Sequence, residues 1–141
     1  MVLHALQWCE LQGLVPKAVC CLYATAPFVQ PVDLVAAGQL LEQAPTGSFV
    51  FAATSFPFPV QRAIRINAAG CSAMFQPEYF NARSQDLEEA FHDAGQFYWA
   101  LPETWESCVN IFENGLPIIV PRWRVQDIDT EEDWKYAELL F

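Results

Sequence analysis

Asp127 and Asp129 stand one residue apart in RVQDIDTEEDW, a stretch that begins at Arg124. In an extended segment, side chains two residues apart project to the same side. The pair would then present two carboxylates together while Ile128 turns toward the core. Two hard oxygen donors on one side suit Mg²⁺, which takes one or two carboxylates from a protein and fills its other positions with water and substrate phosphates. The same stretch also reads as the acidic entrance to a helix. Asp127, Asp129, Glu131, Glu132 and Asp133 would favour the positive helix end, each by about 0.3–1 kcal/mol. On spacing alone the helix entrance is the more common use of such a cluster.

Other chemistry-bearing residues are sparse. Arg122 and Arg124 flank Trp123 after the apolar run PIIV, at a sheet end where open α/β folds bind ligands. They suit a phosphate or a sugar carboxylate, and equally the neighbouring acids. His92 precedes Asp93, a pairing in which a carboxylate can orient an imidazole, although a lone histidine at a turn is more often structural. The five cysteines (Cys9, Cys20, Cys21, Cys71, Cys108) include no C-x-x-C pair and no histidine at zinc spacing, and read as buried thiols. The six glycines are dispersed, so neither G-x-G-x-x-G nor a Walker loop occurs. With no G-x-S-x-G elbow either, covalent catalysis has no support.

The totals narrow the classes. A chain of 141 residues is one domain's worth, and 53% hydrophobic residues with only 17% charged ones excludes a disordered polymer. The net charge of −10 repels polyanions, so no nucleic acid partner is expected. A small anionic substrate would need a divalent cation or local arginines to offset that field. No run approaches the ~20 apolar residues of a membrane span, and the start lacks the pattern of a signal peptide. A soluble, cytoplasmic protein without a membrane partner is the expectation.

The elements that would position these residues follow from periodicity. Residues 2–11 show mostly helical spacing and stop at Gly13 and Pro16. AVCCLYA (18–24) and SFVFAAT (48–54) read as buried strands around a helix over 32–43. This alternation predicts an α/β fold with a parallel sheet. FPFPVQRAIRIN (56–67) holds two prolines, then alternates like an edge strand outside the main sheet. GQFYWAL (95–101) predicts a strand, PETWESCVNIF (102–112) a helix, and LPIIVP (116–121) a last core strand. In the closing helix Thr130 is the cap and Asp133 the acid of a capping box, with Trp134, Ala137, Leu140 and Phe141 expected to face the core.

YATAPF (23–28), TSFPFPVQRAIR (54–65), RSQDLEEAFHDAGQFYW (83–99) and PRWRVQDIDTEEDW (121–134), read in order, resemble the cytidylyltransferases that activate nonulosonic acids. HDAGQFYW tilts the resemblance from neuraminate toward the pseudaminic acid branch. It covers nearly the whole chain and implies a Rossmann-like three-layer sandwich of the nucleotide-diphospho-sugar transferase type. Residues 56–92 would form an arm that reaches the neighbouring subunit of a homodimer. The implied reaction is Mg²⁺-dependent transfer of CMP from CTP to a nonulosonic acid with release of pyrophosphate. The family's D-x-D acids bind the metal, which maps onto Asp127 and Asp129 and reverses the order of preference set by spacing alone. Tyr23, Ala24 and Thr25 fall on the sugar-binding loop, Arg83 and Gln85 on the arm, and His92, Gln96 and Tyr98 on the sugar pocket. Full-length relatives open with a strand and a loop rich in glycine, arginine and lysine that cradles the CTP phosphates. Nothing like it occurs in these 141 residues. The alternative is therefore a catalytically inactive, truncated relative that serves as a dimerising or sugar-binding module.

Overall fold

The computed structural model describes residues 1–107 and 110–141. In chain order the elements are α1 (Val2–Leu11), β1 (Val19–Leu22), α2 (Pro31–Gln43), β2 (Val50–Ser55), β3 (Ile64–Ile66), β4 (Ser72–Met74), β5 (Phe91–Ala100), α3 (Pro102–Glu106), β6 (Leu116–Ile119) and α4 (Glu131–Leu140). They fall into two compact units, Met1–Thr54 with Asp93–Phe141, and Ser55–His92.

The larger unit is built on a four-stranded sheet in the order β1-β5-β2-β6. Its β2 strand is buried on both faces, whereas the edge strand β6 has an exposed residue at every second position. Val50 and Ala52 of β2 pack with Ala37 and Leu41 of α2 and with Phe97 and Val120. Phe51 and Ala53 point the other way, joining Tyr98 and the partly buried Trp105 of α3. Two T-shaped ring contacts, Phe49 with Trp105 at 4.8 Å and Phe51 with Phe112 at 5.3 Å, complete that second face. Gly115 must stay without a side chain, since a Cβ there would lie 2.4 Å from the Ile111 carbonyl oxygen and 2.8 Å from the Phe51 ring.

The sheet is mixed, which corrects the expectation of a parallel one. β2 and β6 run parallel, whereas β1 and β5 pair antiparallel from Val19 opposite Ala100 to Leu22 opposite Phe97. Helix and strand alternation constrains direction only where a helical crossover joins the strands. β5 is instead reached through the segment 55–92, which imposes no such rule. The predicted helix over 102–112 is also shorter, ending at Glu106; Cys108 and Val109 lie outside the described residues.

Two further expectations are revised. Of the α4 residues assigned to the core, Ala137 is buried, but Trp134 and Phe141 are exposed. They line an open apolar cleft of about 240 Å³ with Pro27, Phe28 and Ile128, so no part of this unit encloses them. In the smaller unit, the predicted edge strand splits into a turn at Val60–Arg62 and the short β3, which pairs antiparallel with β4. Among the described residues, no helix is long and apolar enough to cross a membrane.

Phe97 of β5 is fully buried in the α2-facing core, and Leu139 is 83% exposed. Phe97→Ala is expected to cost about 3–5 kcal/mol, and Leu139→Ala to stay within about 0.5 kcal/mol, as read by urea unfolding of each variant.

Candidate active site

Three chain segments of the larger unit meet beyond the end of β1. The Tyr23 amide donates to the Gln96 carbonyl at 2.9 Å, carrying the β1–β5 ladder one step further. The Ile128 amide donates to the Thr25 carbonyl at 3.3 Å. The Gln96 side chain, 2% exposed, donates from Nε2 to the Arg124 carbonyl at 2.5 Å. Backbone and side-chain bonds thus tie the loop 23–25 to both β5 and the segment carrying the two aspartates.

Asp127 reaches this junction because β5 is broken beneath it. Gly95 has φ +61°, and a Cβ placed on it would stand 3.1 Å from Asp127 Oδ2. Asp93 supports the break, with Oδ1 accepting from the Gly95 amide at 3.0 Å. The Asp127 carboxylate is half-buried against this backbone, and its Oδ1 is buried without a hydrogen-bond partner among the described residues. An unpartnered buried carboxylate oxygen is costly unless a cation or donor completes it.

The helix entrance is managed by other residues. Thr130 Oγ1 accepts from the Asp133 amide at 3.2 Å, and Asp133 Oδ2 accepts from the Thr130 amide at 2.9 Å, forming the capping box expected from the sequence. Asp133 Oδ2 also accepts from the Thr130 hydroxyl and the Asp129 amide. These bonds, the Thr130 hydroxyl first, hold the Asp133 carboxyl below its usual range. Neither the Asp127 nor the Asp129 carboxylate is used in the cap, and that of Asp129 lies exposed beside it. The donor chemistry, one buried unpartnered oxygen and one free carboxylate, fits a hard divalent cation that keeps most of its sites for water and phosphate. Among the described residues no group of three or more His, Cys, Asp or Glu side chains converges for a metal.

Of the remaining residues expected at the site, Tyr23, Ala24 and Tyr98 line a cavity of about 640 Å³ together with Met1, Leu3, Cys21, Trp105 and Ile111. The rings of Tyr23 and Tyr98 lie 5.3 Å apart at 54°. Thr25 and Gln96 stand at the junction described above. Arg83 and Gln85 are exposed residues of the smaller unit, and His92 there packs its ring on Phe56 at 4.7 Å. The Arg124 guanidinium does not turn to the adjacent acids. It grips Asp33 of α2 at 2.6 and 3.4 Å, fastening the aspartate segment to the helix. Burial raises the Cys20 thiol to about 11 and pushes Cys21 up as well, so both stay protonated and non-nucleophilic at neutral pH.

Sequence reasoning did not anticipate that Asp93 serves Tyr98, whose hydroxyl donates to Asp93 Oδ2. The Asp-Ala-Gly spacing was the available signal, because an aspartate two residues before a glycine commonly bonds its backbone in a turn.

No protein-family model matches the chain. Curated relatives do. It is 37% identical over 142 residues to the pseudaminic acid cytidylyltransferase of Campylobacter jejuni subsp. jejuni serotype O:2, covering all of this chain and 61% of that protein. It is 38% identical over 141 residues to the enzyme of the same name from serotype O:23/36, covering 99% of this chain and 60% of that protein. A Helicobacter pylori protein named pseudaminic acid cytidylyltransferase and UDP-2,4-diacetamido-2,4,6-trideoxy-beta-L-altropyranose hydrolase is 29% identical over 110 residues, which is 77% of this chain and 21% of that one. The mixed sheet flanked by helices defines an α/β protein, and the two Campylobacter matches run over essentially the whole of this chain. Specifically, the chain is a homologue of the pseudaminic acid cytidylyltransferases and spans about 60% of the length of the two Campylobacter proteins.

Two outcomes test this site. Thr130→Ala removes the cap and is expected to lower stability by about 1 kcal/mol while leaving divalent-cation binding intact. Because the folded Asp133 carboxyl is depressed below 3.8, its contribution is present above that value and is lost as pH falls through the folded pKa. An acid titration followed by circular dichroism should therefore show a smaller drop for Thr130→Ala than for the parent chain.

Proposed function

We propose that this chain carries the metal and sugar sites of a cytidylyltransferase of the Rossmann-like, three-layer type. The reaction is attack by the anomeric hydroxyl of a nonulosonic acid, of pseudaminic type, on the α-phosphorus of CTP. The sugar oxygen gains the bond to phosphorus, the bond to the β-phosphate oxygen breaks, and pyrophosphate leaves. The observation that carries this proposal is the buried, unpartnered Oδ1 of Asp127 next to a second carboxylate that the helix cap leaves free. The names of the Campylobacter relatives suggest the nucleotide and sugar classes.

Asp127 and Asp129 would hold Mg²⁺, and Gly95 keeps the first of them in place. Bound magnesium supplies positive charge to the triphosphate as negative charge builds on the reacting phosphate. The net charge of −10 makes that supply necessary, since the chain's own field opposes a nucleotide anion. Tyr23, Ala24, Thr25, Gln96 and Tyr98 would position the sugar; the resemblance also nominates Arg83, Gln85 and His92 of the smaller unit as substrate-binding residues.

The arm also supports a homodimer. A two-stranded hairpin is marginal alone in water. Here β3 and β4 are exposed, as are Phe58 (79%), Ile66 (71%) and Phe80 (70%) of the same unit. A second copy would cover these side chains. A cytoplasmic location accords with the use of CTP.

A second reading is a dimerising, sugar-binding module without turnover. Pyrophosphate release from CTP, Mg²⁺ and pseudaminic acid separates the two. The enzyme reading predicts turnover that chelation abolishes and that Asp127→Asn lowers by about 10²–10³. Sugar binding without any pyrophosphate would leave the module. Turnover unchanged in Asp127→Asn would remove the metal assignment.

A further inference from the structure

The cavity beside β1 has a defined hydrogen-bonding sense, set by a residue that does not line it. Tyr98 is 4% exposed and presents its ring to the cavity, next to Tyr23. A phenol has one proton to give and two lone pairs to receive with. The Tyr98 proton goes to Asp93 Oδ2, and the other oxygen of Asp93 is anchored by the Gly95 amide. The carboxylate is therefore held by a backbone bond at the broken position of β5. Burial first, then this bond and the Asp93 charge, push the Tyr98 hydroxyl well above the ordinary tyrosine range.

With its proton committed to Asp93 and its oxygen also hydrogen-bonded by the Tyr23 side chain, Tyr98 can only accept, through the lone pair that remains, from whatever enters the cavity. We propose that Asp93 is a positioning residue that turns the Tyr98 phenol into a fixed hydrogen-bond acceptor, so that the cavity selects a ligand presenting a hydroxyl or amide N–H there. A carboxylate at the same point would meet oxygen lone pairs and be rejected. The inference deepens the function proposed above by orienting the sugar acid: a hydroxyl or acylamino group toward Tyr98, its carboxylate elsewhere. The neighbouring wall is apolar, with Leu3, Trp105 and Ile111, and so suits the methyl of an acylamino group.

The test compares the full chain with Asp93→Asn, Tyr98→Phe and the double variant, using pseudaminic acid as the probe in calorimetric titrations. Each single variant is expected to weaken binding about tenfold, and the double variant to be no weaker than either, as for two groups acting as one unit. A purely structural role for Asp93 would instead lower the melting temperature without this coupling.

A second measurement does not depend on the sugar. In ultraviolet titration of tyrosine ionisation, Tyr98 should remain protonated in the parent chain after the exposed tyrosines have titrated, and should ionise at lower pH in Asp93→Asn. If the parent chain fails to bind the sugar acid but Tyr98 responds in this way, the function reading falls and the commitment of the phenol to Asp93 stands. An unchanged Tyr98 titration in Asp93→Asn, or additive effects of the two variants on sugar binding, would overturn the proposal.

Discussion

The site depends on one break in one strand. Ala94 and Phe97 of β5 both belong to the α2-facing core although they are three residues apart, an odd separation that regular pleating would send to opposite faces. The positive φ of Gly95 absorbs the mismatch. Because this position carries no Cβ, the backbone can lie against the Asp127 carboxylate, and the shift in phase lets Tyr98 join the other core face beside α3. The same break creates the turn in which Asp93 caps the Gly95 amide. A regular strand here would fill the space of Asp127 and separate the aspartate segment from the tyrosine wall.

Around that break, charge is distributed by task. Arg124 is spent on Asp33, so this cation serves to fix the segment 122–129 to α2 and is not offered to a ligand. The box of Thr130 and Asp133 satisfies the start of α4 without help from the upstream acids. What remains is a buried oxygen on Asp127 without a hydrogen-bond partner among the described residues, and an exposed carboxylate on Asp129. An isolated anion in this setting is unfavourable in an already acidic chain, and a divalent ion with open positions is the simplest way to resolve it. The acidity of the molecule and the reaction proposed for it therefore make the same demand.

Much of this was legible in the amino acids. Helical spacing bounded by Gly13 and Pro16 placed α1, and the apolar runs at 18–24 and 48–54 placed β1 and β2 within a few residues. The Thr130-x-x-Asp133 pattern gave the capping box in full. Local signals failed where distant contacts decide. The partner of Arg124 lies 91 residues away on α2, and nothing near either residue announces the pair. The antiparallel entry of β5 depends on the detour through 55–92. Pattern alone also could not tell that Trp134 and Phe141 would face an open cleft, since their spacing is that of a core face.

The central claim is that Asp127 Oδ1 is unpartnered in the protein because a cation completes it. Anomalous diffraction from crystals grown with Mn²⁺ in place of Mg²⁺ tests this most directly. A single ordered ion bonded to Asp127 Oδ1, with Asp129 as its second carboxylate, is the predicted result. Crystals that show no ion there, with Asp127 Oδ1 instead accepting a main-chain amide, would contradict it.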